Sequence, residues 1–106
     1  MSHVTVFAGV FASQPLVFAH LLDAADASGL SLDLDHVEVL QGAVGPRLAH
    51  VLSDADCSTV EDAQRADETL VLVFSEALIP GARLFRETKL LRSLGQFAPT
   101  RPRMIQ

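Results

Sequence analysis

The feature that most constrains the fold is a run of five consecutive apolar residues at positions 70–74, preceded by Thr69. The run is far shorter than the roughly 20 residues that a transmembrane helix needs, and its valines favour a β-strand. Because successive side chains of a strand point to opposite faces, an unbroken apolar run indicates a strand that is buried on both faces. We therefore predict a central strand over residues 69–74.

The N-terminal third predicts a second strand of this kind, followed by a helix. Residues 3–11 place apolar side chains on both strand faces, so this strand must be covered on both sides or lie at an oligomer interface. Pro15 suits a first helical turn and Gly29 suits a helix end. The helical periodicity predicts that His20, Asp23 and Asp26 face solvent.

The middle of the chain predicts shorter elements. Between residues 30 and 40 the apolar alternation changes parity, which indicates a turn or bulge near Asp35 before a strand at residues 37–40. Gly45 and Pro46 favour a short helix that ends at about residue 52. The polar stretch at residues 54–67 predicts a loop with one helical turn near 60–66.

The C-terminal part predicts a last long helix at residues 82–94, ended by Gly95. The prolines beyond it keep the remaining residues extended. We therefore expect one α/β domain over residues 1–95 and a basic, proline-containing tail over residues 96–106.

The order of predicted strands and helices indicates an α+β fold, for which a ferredoxin-like α/β sandwich is the first choice. A small three-layer α/β fold with a mostly parallel sheet is the alternative, because the same order permits right-handed crossovers on both faces.

The charges are segregated along the chain. Residues 1–82 carry twelve acidic and two basic side chains, whereas residues 83–106 carry one acidic and six basic side chains. Segregated opposite charges favour docking, so the basic end predicts a partner-binding surface. The expected partner is a second copy of the chain or an acidic protein, and the acidic body makes nucleic acid an unlikely partner. The residues predicted to form this surface are Phe85, Arg86, Lys89, Arg92, Arg101 and Arg103.

A second candidate is the glycine-bearing turn at residues 41–47. Backbone N–H groups at a helix start favour anions, and Arg47 adds a positive charge, so the turn predicts an anion site formed by Gly42, Gly45 and Arg47. The spacing matches neither a dinucleotide fingerprint nor a P-loop. A tight structural turn is the competing interpretation.

No catalytic residue, metal site or cofactor is predicted, and enzymatic activity stays open. The densest ligand group has no spacing typical of zinc or calcium; it consists of Asp33, Asp35, His36 and Glu38. Neighbouring carboxylates are expected to raise the pKa of the only cysteine, Cys57, which argues against a reactive thiolate.

These observations favour a small non-catalytic association or adaptor domain that forms a homodimer through a basic C-terminal helix and an acidic body. The alternative is a small enzyme or ligand-binding protein for an anionic molecule, with a pocket near Arg47, His50 and Glu76. The N-terminus lacks a signal-peptide pattern and a single cysteine excludes an internal disulfide, so we expect a cytoplasmic protein with no membrane association.

Overall fold

The computed structural model describes residues 3–27, 31–41, 45–65, 67–79 and 87–100. Short 3₁₀ turns lie at Leu34–His36 and Ser75–Ala77. The helices are α1 (Gln14–Ala27), α2 (Gly45–Leu48) and α3 (Asp54–Ala63). The strands are β1 (Val4–Gly9), β2 (Ser31–Leu32), β3 (Val37–Leu40), β4 (Thr69–Phe74), β5 (Leu78–Ile79) and β6 (Arg92–Phe97).

The main sheet has four strands in the order β3-β4-β1-β6, and β2 pairs with β5 in a separate two-stranded sheet. Every pairing is antiparallel. Val6 lies opposite Leu72, and Val39 lies opposite Val71. The α+β class is therefore confirmed, whereas the alternative with a mostly parallel sheet disagrees with these pairings.

The two faces of the sheet carry separate halves of the core. On one face Leu72 packs with Leu48 of α2 and Val60 of α3. On the other face Val71 packs with Leu21 of α1. Helices thus cover both faces, which is why the two central strands are apolar on both sides. A two-layer ferredoxin-like sandwich is not confirmed, because it would carry its helices on one face only.

The strongest local patterns are confirmed. Strands β3 and β4 have the predicted bounds, and the 3₁₀ turn Leu34–His36 accounts for the change of parity before β3. Helix α1 begins next to Pro15 and buries Val17, Leu21 and Ala25. Among the described residues, no helix is long and apolar enough to cross a membrane.

The predicted helix at residues 82–94 is wrong over its described part. Residues 87–91 form an irregular loop, and β6 pairs with β1 from Arg92 to Phe97; residues 82–86 lie outside the described part. When this segment pairs with β1, Leu91 is buried and Leu94 and Phe97 pack against the core. The free energy gained from this pairing and packing exceeds the local preference of the segment for a helix.

A β-bulge adapts β6 to the sheet. Gly95 lies opposite Val6 and Ser93 lies opposite Phe7, which leaves Leu94 as the extra residue. The backbone of Gly95 has a φ of +131°, a conformation that glycine adopts far more readily than residues with a side chain. The sheet continues to Phe97, beyond the predicted boundary at residue 95, while residues 101–106 lie outside the described part.

Helix α3 replaces the predicted loop at residues 54–67. Its N-cap is Ser53, whose side chain accepts a hydrogen bond from the backbone N–H of Asp56. Two aspartates in the first turn suit the positive end of the helix dipole. The predicted turn near residues 60–66 is therefore the end of a helix that starts about six residues earlier.

The two outer strands of the sheet have backbone groups that bind side chains. On β3, the carbonyl oxygen of Val39 accepts hydrogen bonds from Gln14 Nε2 at 3.3 Å and from Arg47 Nη2 at 3.4 Å. On β6, the backbone N–H of Ser93 donates to the Glu87 carboxylate at 2.8 Å. These contacts partly occupy the hydrogen-bonding edges of the sheet.

Candidate functional site

The predicted basic surface is only partly within the described residues. Phe85, Arg86, Arg101 and Arg103 lie outside them. Lys89 is exposed in the loop before β6. The predicted surface therefore stays a prediction.

Arg92 forms an ion pair within the molecule. Its Nη2 atom lies 2.6 Å from Glu68 Oε1 and 2.7 Å from the carbonyl oxygen of Ala63. Only 8% of the Glu68 side chain is exposed. The guanidinium of Arg92 thus links β6 to the connection between α3 and β4. Because it is already bound within the molecule, Arg92 is less available to a partner than its sequence position predicts.

The predicted anion site lies only partly within the described residues and stays a prediction. Gly42 lies outside the described part, Gly45 begins the four-residue helix α2, and exposed Arg47 donates to the Val39 carbonyl. His50 is exposed, and the Glu76 side chain lies outside the described part. The alternative pocket near Arg47, His50 and Glu76 remains a prediction.

A polar cleft lies at the end of the sheet where β1 and β3 finish and β4 begins. Gly9 is paired with Thr69, and Leu40 is paired with Leu70, so Phe11, Gln41 and Thr69 come together there. The cleft has a volume of about 480 Å³, within the usual range for small-molecule sites. Its lining residues are Phe11, Gln41, Gln64, Arg65, Asp67, Glu68 and Thr69.

The carboxamide of Gln41 is oriented by two hydrogen bonds. Its Nε2 atom donates to the Phe11 carbonyl at 3.3 Å and to Thr69 Oγ1 at 3.1 Å. Thr69 is itself buried. Both N–H groups of the amide are thereby used, while its Oε1 atom has no hydrogen-bond partner among the described residues.

The opposite wall of the cleft is a turn at residues 65–68. Glu68 Oε1 accepts from the backbone N–H of Arg65 at 2.6 Å as well as from Arg92. Gln64 Nε2 donates to the Glu68 carbonyl at 2.8 Å. Asp67 has a φ of +64°, an uncommon conformation that Asp tolerates better than most residues. Glu68 therefore holds the wall of the cleft in place.

The cleft combines neutral amides with one positive group, Arg65, and two negative groups, Asp67 and Glu68. Glu68 is compensated by Arg92, whereas the exposed residues Arg65 and Asp67 have no side-chain hydrogen bond within the described part. Sequence reasoning missed this site, because its polar residues come from the end of β3 and from the connection between α3 and β4, which are more than twenty residues apart. A usable signal was that polar residues follow β3 and precede β4 on adjacent strands.

A second surface feature is the exposed apolar patch, which we define as Val10, Leu16 and Leu90. Their exposed fractions are 68%, 53% and 54%. A Cβ atom at Gly9 would overlap the backbone carbonyl of Leu90, so the segments carrying Val10 and Leu90 are in close contact. Large exposed apolar side chains that lie together are typical of interaction sites.

His20 links α1 to the loop at residues 87–91. Thr88 Oγ1 accepts hydrogen bonds from the backbone N–H groups of Leu90 and Leu91, which leaves its hydrogen to donate to His20 Nε2 at 2.6 Å. The expectation that His20 faces solvent is wrong, because it is half-buried between this loop and the ring of Phe11. Leu16, one helical turn earlier, lies on the same side of α1.

The surroundings of Cys57 disfavour its thiolate form. Burial raises the pKa of the Cys57 thiol, and the carboxylates of Glu61, Asp54 and Asp56 raise that pKa further, as the sequence predicts for the two aspartates. The thiol donates weakly to the Leu52 carbonyl. Among the described residues, no group of three or more His, Cys, Asp or Glu side chains is placed to hold a metal ion.

No protein-family model, curated protein or solved structure matches the chain.

Proposed function

We propose that the protein is a small non-catalytic association domain that forms a homodimer through the exposed apolar patch. The observation that supports the proposal is that Val10 and Leu90 are exposed on segments in close contact, while Leu16 lies on the side of α1 from which His20 reaches the same loop. Burying such side chains against a partner gains about 25 cal/mol per Å² of apolar surface. The basic helix proposed from sequence is replaced here by this patch.

Charge complementarity favours a second copy of the chain as the partner. Lys89 is exposed beside Leu90. The exposed carboxylates of Asp23 and Asp26 lie on α1, the helix that also carries Leu16. One copy therefore presents a cation next to an apolar patch, and the other copy presents carboxylates on the same side of the sheet. We place this association in the cytoplasm, where the single, buried Cys57 would remain reduced.

The test compares the double variant Val10→Ser/Leu90→Ser with wild type by size-exclusion chromatography coupled to light scattering. We expect wild type to form dimers and the double variant to dissociate at least about tenfold more readily, since it loses apolar burial. High salt should also weaken the wild-type dimer, because screening reduces the attraction between Lys89 and the carboxylates of the other copy.

The matched control is Leu22→Ser. Leu22 is 46% exposed, but it lies two residues after His20 and therefore on the opposite side of α1 from the loop. This variant should dimerise like wild type. A wild-type chain that is monomeric at every concentration and salt level would contradict the proposal, as would equal dissociation of the control.

A further inference from the structure

We propose that the polar cleft beside Gln41 binds a free α-amino acid in its zwitterionic form. The cleft and the apolar patch involve different residues, so this site does not depend on the proposed dimer. Its volume of about 480 Å³ accommodates a molecule of this size.

The lining offers hydrogen-bond acceptors to an ammonium group. Gln41 uses its N–H groups on Phe11 and Thr69, and Gln64 uses one N–H group on the Glu68 carbonyl. Within the described residues, the side-chain oxygens of Gln41, Gln64 and Asp67 thus remain to accept. An ammonium group has three N–H donors and no acceptor, so these three oxygens match its needs.

The lining also offers a partner to a carboxylate. Arg65 is exposed at the cleft, and its guanidinium makes no hydrogen bond to the described residues. A guanidinium binds a carboxylate with two parallel hydrogen bonds. Because Arg92 compensates the charge of Glu68, the uncompensated charges of the lining are the positive charge of Arg65 and the negative charge of Asp67. One charge of each sign fits a zwitterion better than a phosphate or another multiply charged anion.

The walls are held in place before any ligand binds. Two hydrogen bonds orient Gln41, and Glu68 fastens the turn that carries Arg65 and Asp67. The uncommon φ of Asp67 is also maintained within this turn. Groups that are already oriented lose less conformational entropy on binding.

The experiment screens the full chain against the common L-amino acids by thermal shift and measures the best binder by calorimetry. N-acetylation of that amino acid, or conversion of its carboxylate to an amide, should weaken binding at least about tenfold, because each removes one charge. The variants Arg65→Gln and Asp67→Asn should do the same. Asn keeps the backbone conformation that Asp67 adopts.

Matched controls distinguish the loss of a contact in the cleft from a general effect of the net charge of the protein on binding. Arg47→Gln and Asp26→Asn change exposed charges outside the cleft lining and should bind like wild type. The proposal would be overturned by the absence of amino-acid binding, by unchanged affinity in Arg65→Gln and Asp67→Asn, or by equal binding of the N-acetyl derivative.

Discussion

Arg92 connects three parts of the chain through one nitrogen atom. Its Nη2 atom contacts Glu68 and the last residue of α3, Ala63, while its own backbone belongs to β6. Its Nε atom is buried without a hydrogen-bond partner in the described part. That unpaired donor offsets some of the gain from the ion pair, so the net stabilisation is smaller than the short distances suggest.

We predict that Arg92→Met and Glu68→Gln each lower the free energy of unfolding by about 1 to 3 kcal/mol, because each leaves a partly buried group without its charged partner. In the double variant the losses should be less than additive by about 1 kcal/mol. Urea titration of the four proteins measures this coupling. Lys89→Met is the control, since Lys89 is exposed, and an equal loss in that variant would contradict the assignment.

At the scale of elements, β4 determines the architecture. It pairs with β3 on one side and β1 on the other, and all six of its residues are buried. Its side chains contribute alternately to the core beneath α3 and to the core beneath α1. A change in this strand therefore affects both halves of the core.

We predict that Leu72→Ala lowers the free energy of unfolding by about 2 to 5 kcal/mol, because it opens a cavity in a fully buried position. The control Leu22→Ala removes the same atoms from a position that is 46% exposed and should cost less than about 1 kcal/mol. Denaturant titration measures both. A loss below about 1 kcal/mol for Leu72→Ala would show that this position is not in the core.

Sequence patterns predicted the elements whose signal is local. Strand β4 follows from its unbroken apolar run, and α1 follows from Pro15 and its apolar periodicity. Strand β6 was missed because residues 82–94 also fit a helical period, and its pairing partner β1 lies nearly ninety residues away. Helix α3 was missed although Ser53 is a good N-cap.

The polar cleft was not predictable from the same patterns. Gln41 and Thr69 were visible as residues next to strands, but only the antiparallel register puts them at one end of the sheet. Arg65 and Asp67 lie in a turn whose conformation depends on the contact between Glu68 and Arg92. Such contacts join residues far apart in sequence, and no local spacing indicates them.

At the scale of the whole molecule, the chain is tied together near its C-terminus. Phe97 pairs with Val4 and packs against the core. Thr100 donates from its backbone N–H to the Val51 carbonyl at 2.7 Å, and its hydroxyl contacts the same oxygen. Phe97 and Thr100 therefore make contacts with the rest of the domain.

We predict that ending the chain after Gly95 lowers the free energy of unfolding by about 2 to 4 kcal/mol, because the core loses Phe97 and β1 loses two paired residues. A chain that ends after Thr100 is the control and should lose less than about 1 kcal/mol. Thermal and urea unfolding measure both truncations. Equal stability of the two shortened chains would show that residues 96–100 do not hold the sheet.

The side chains that bind the outer strands also affect behaviour at high concentration. An uncovered strand edge is a template on which further chains can add and grow into fibrils. Gln14 and Arg47 engage β3, and Glu87 engages β6, so an arriving strand must first displace these contacts. These contacts therefore disfavour open-ended addition of strands at both edges of the sheet.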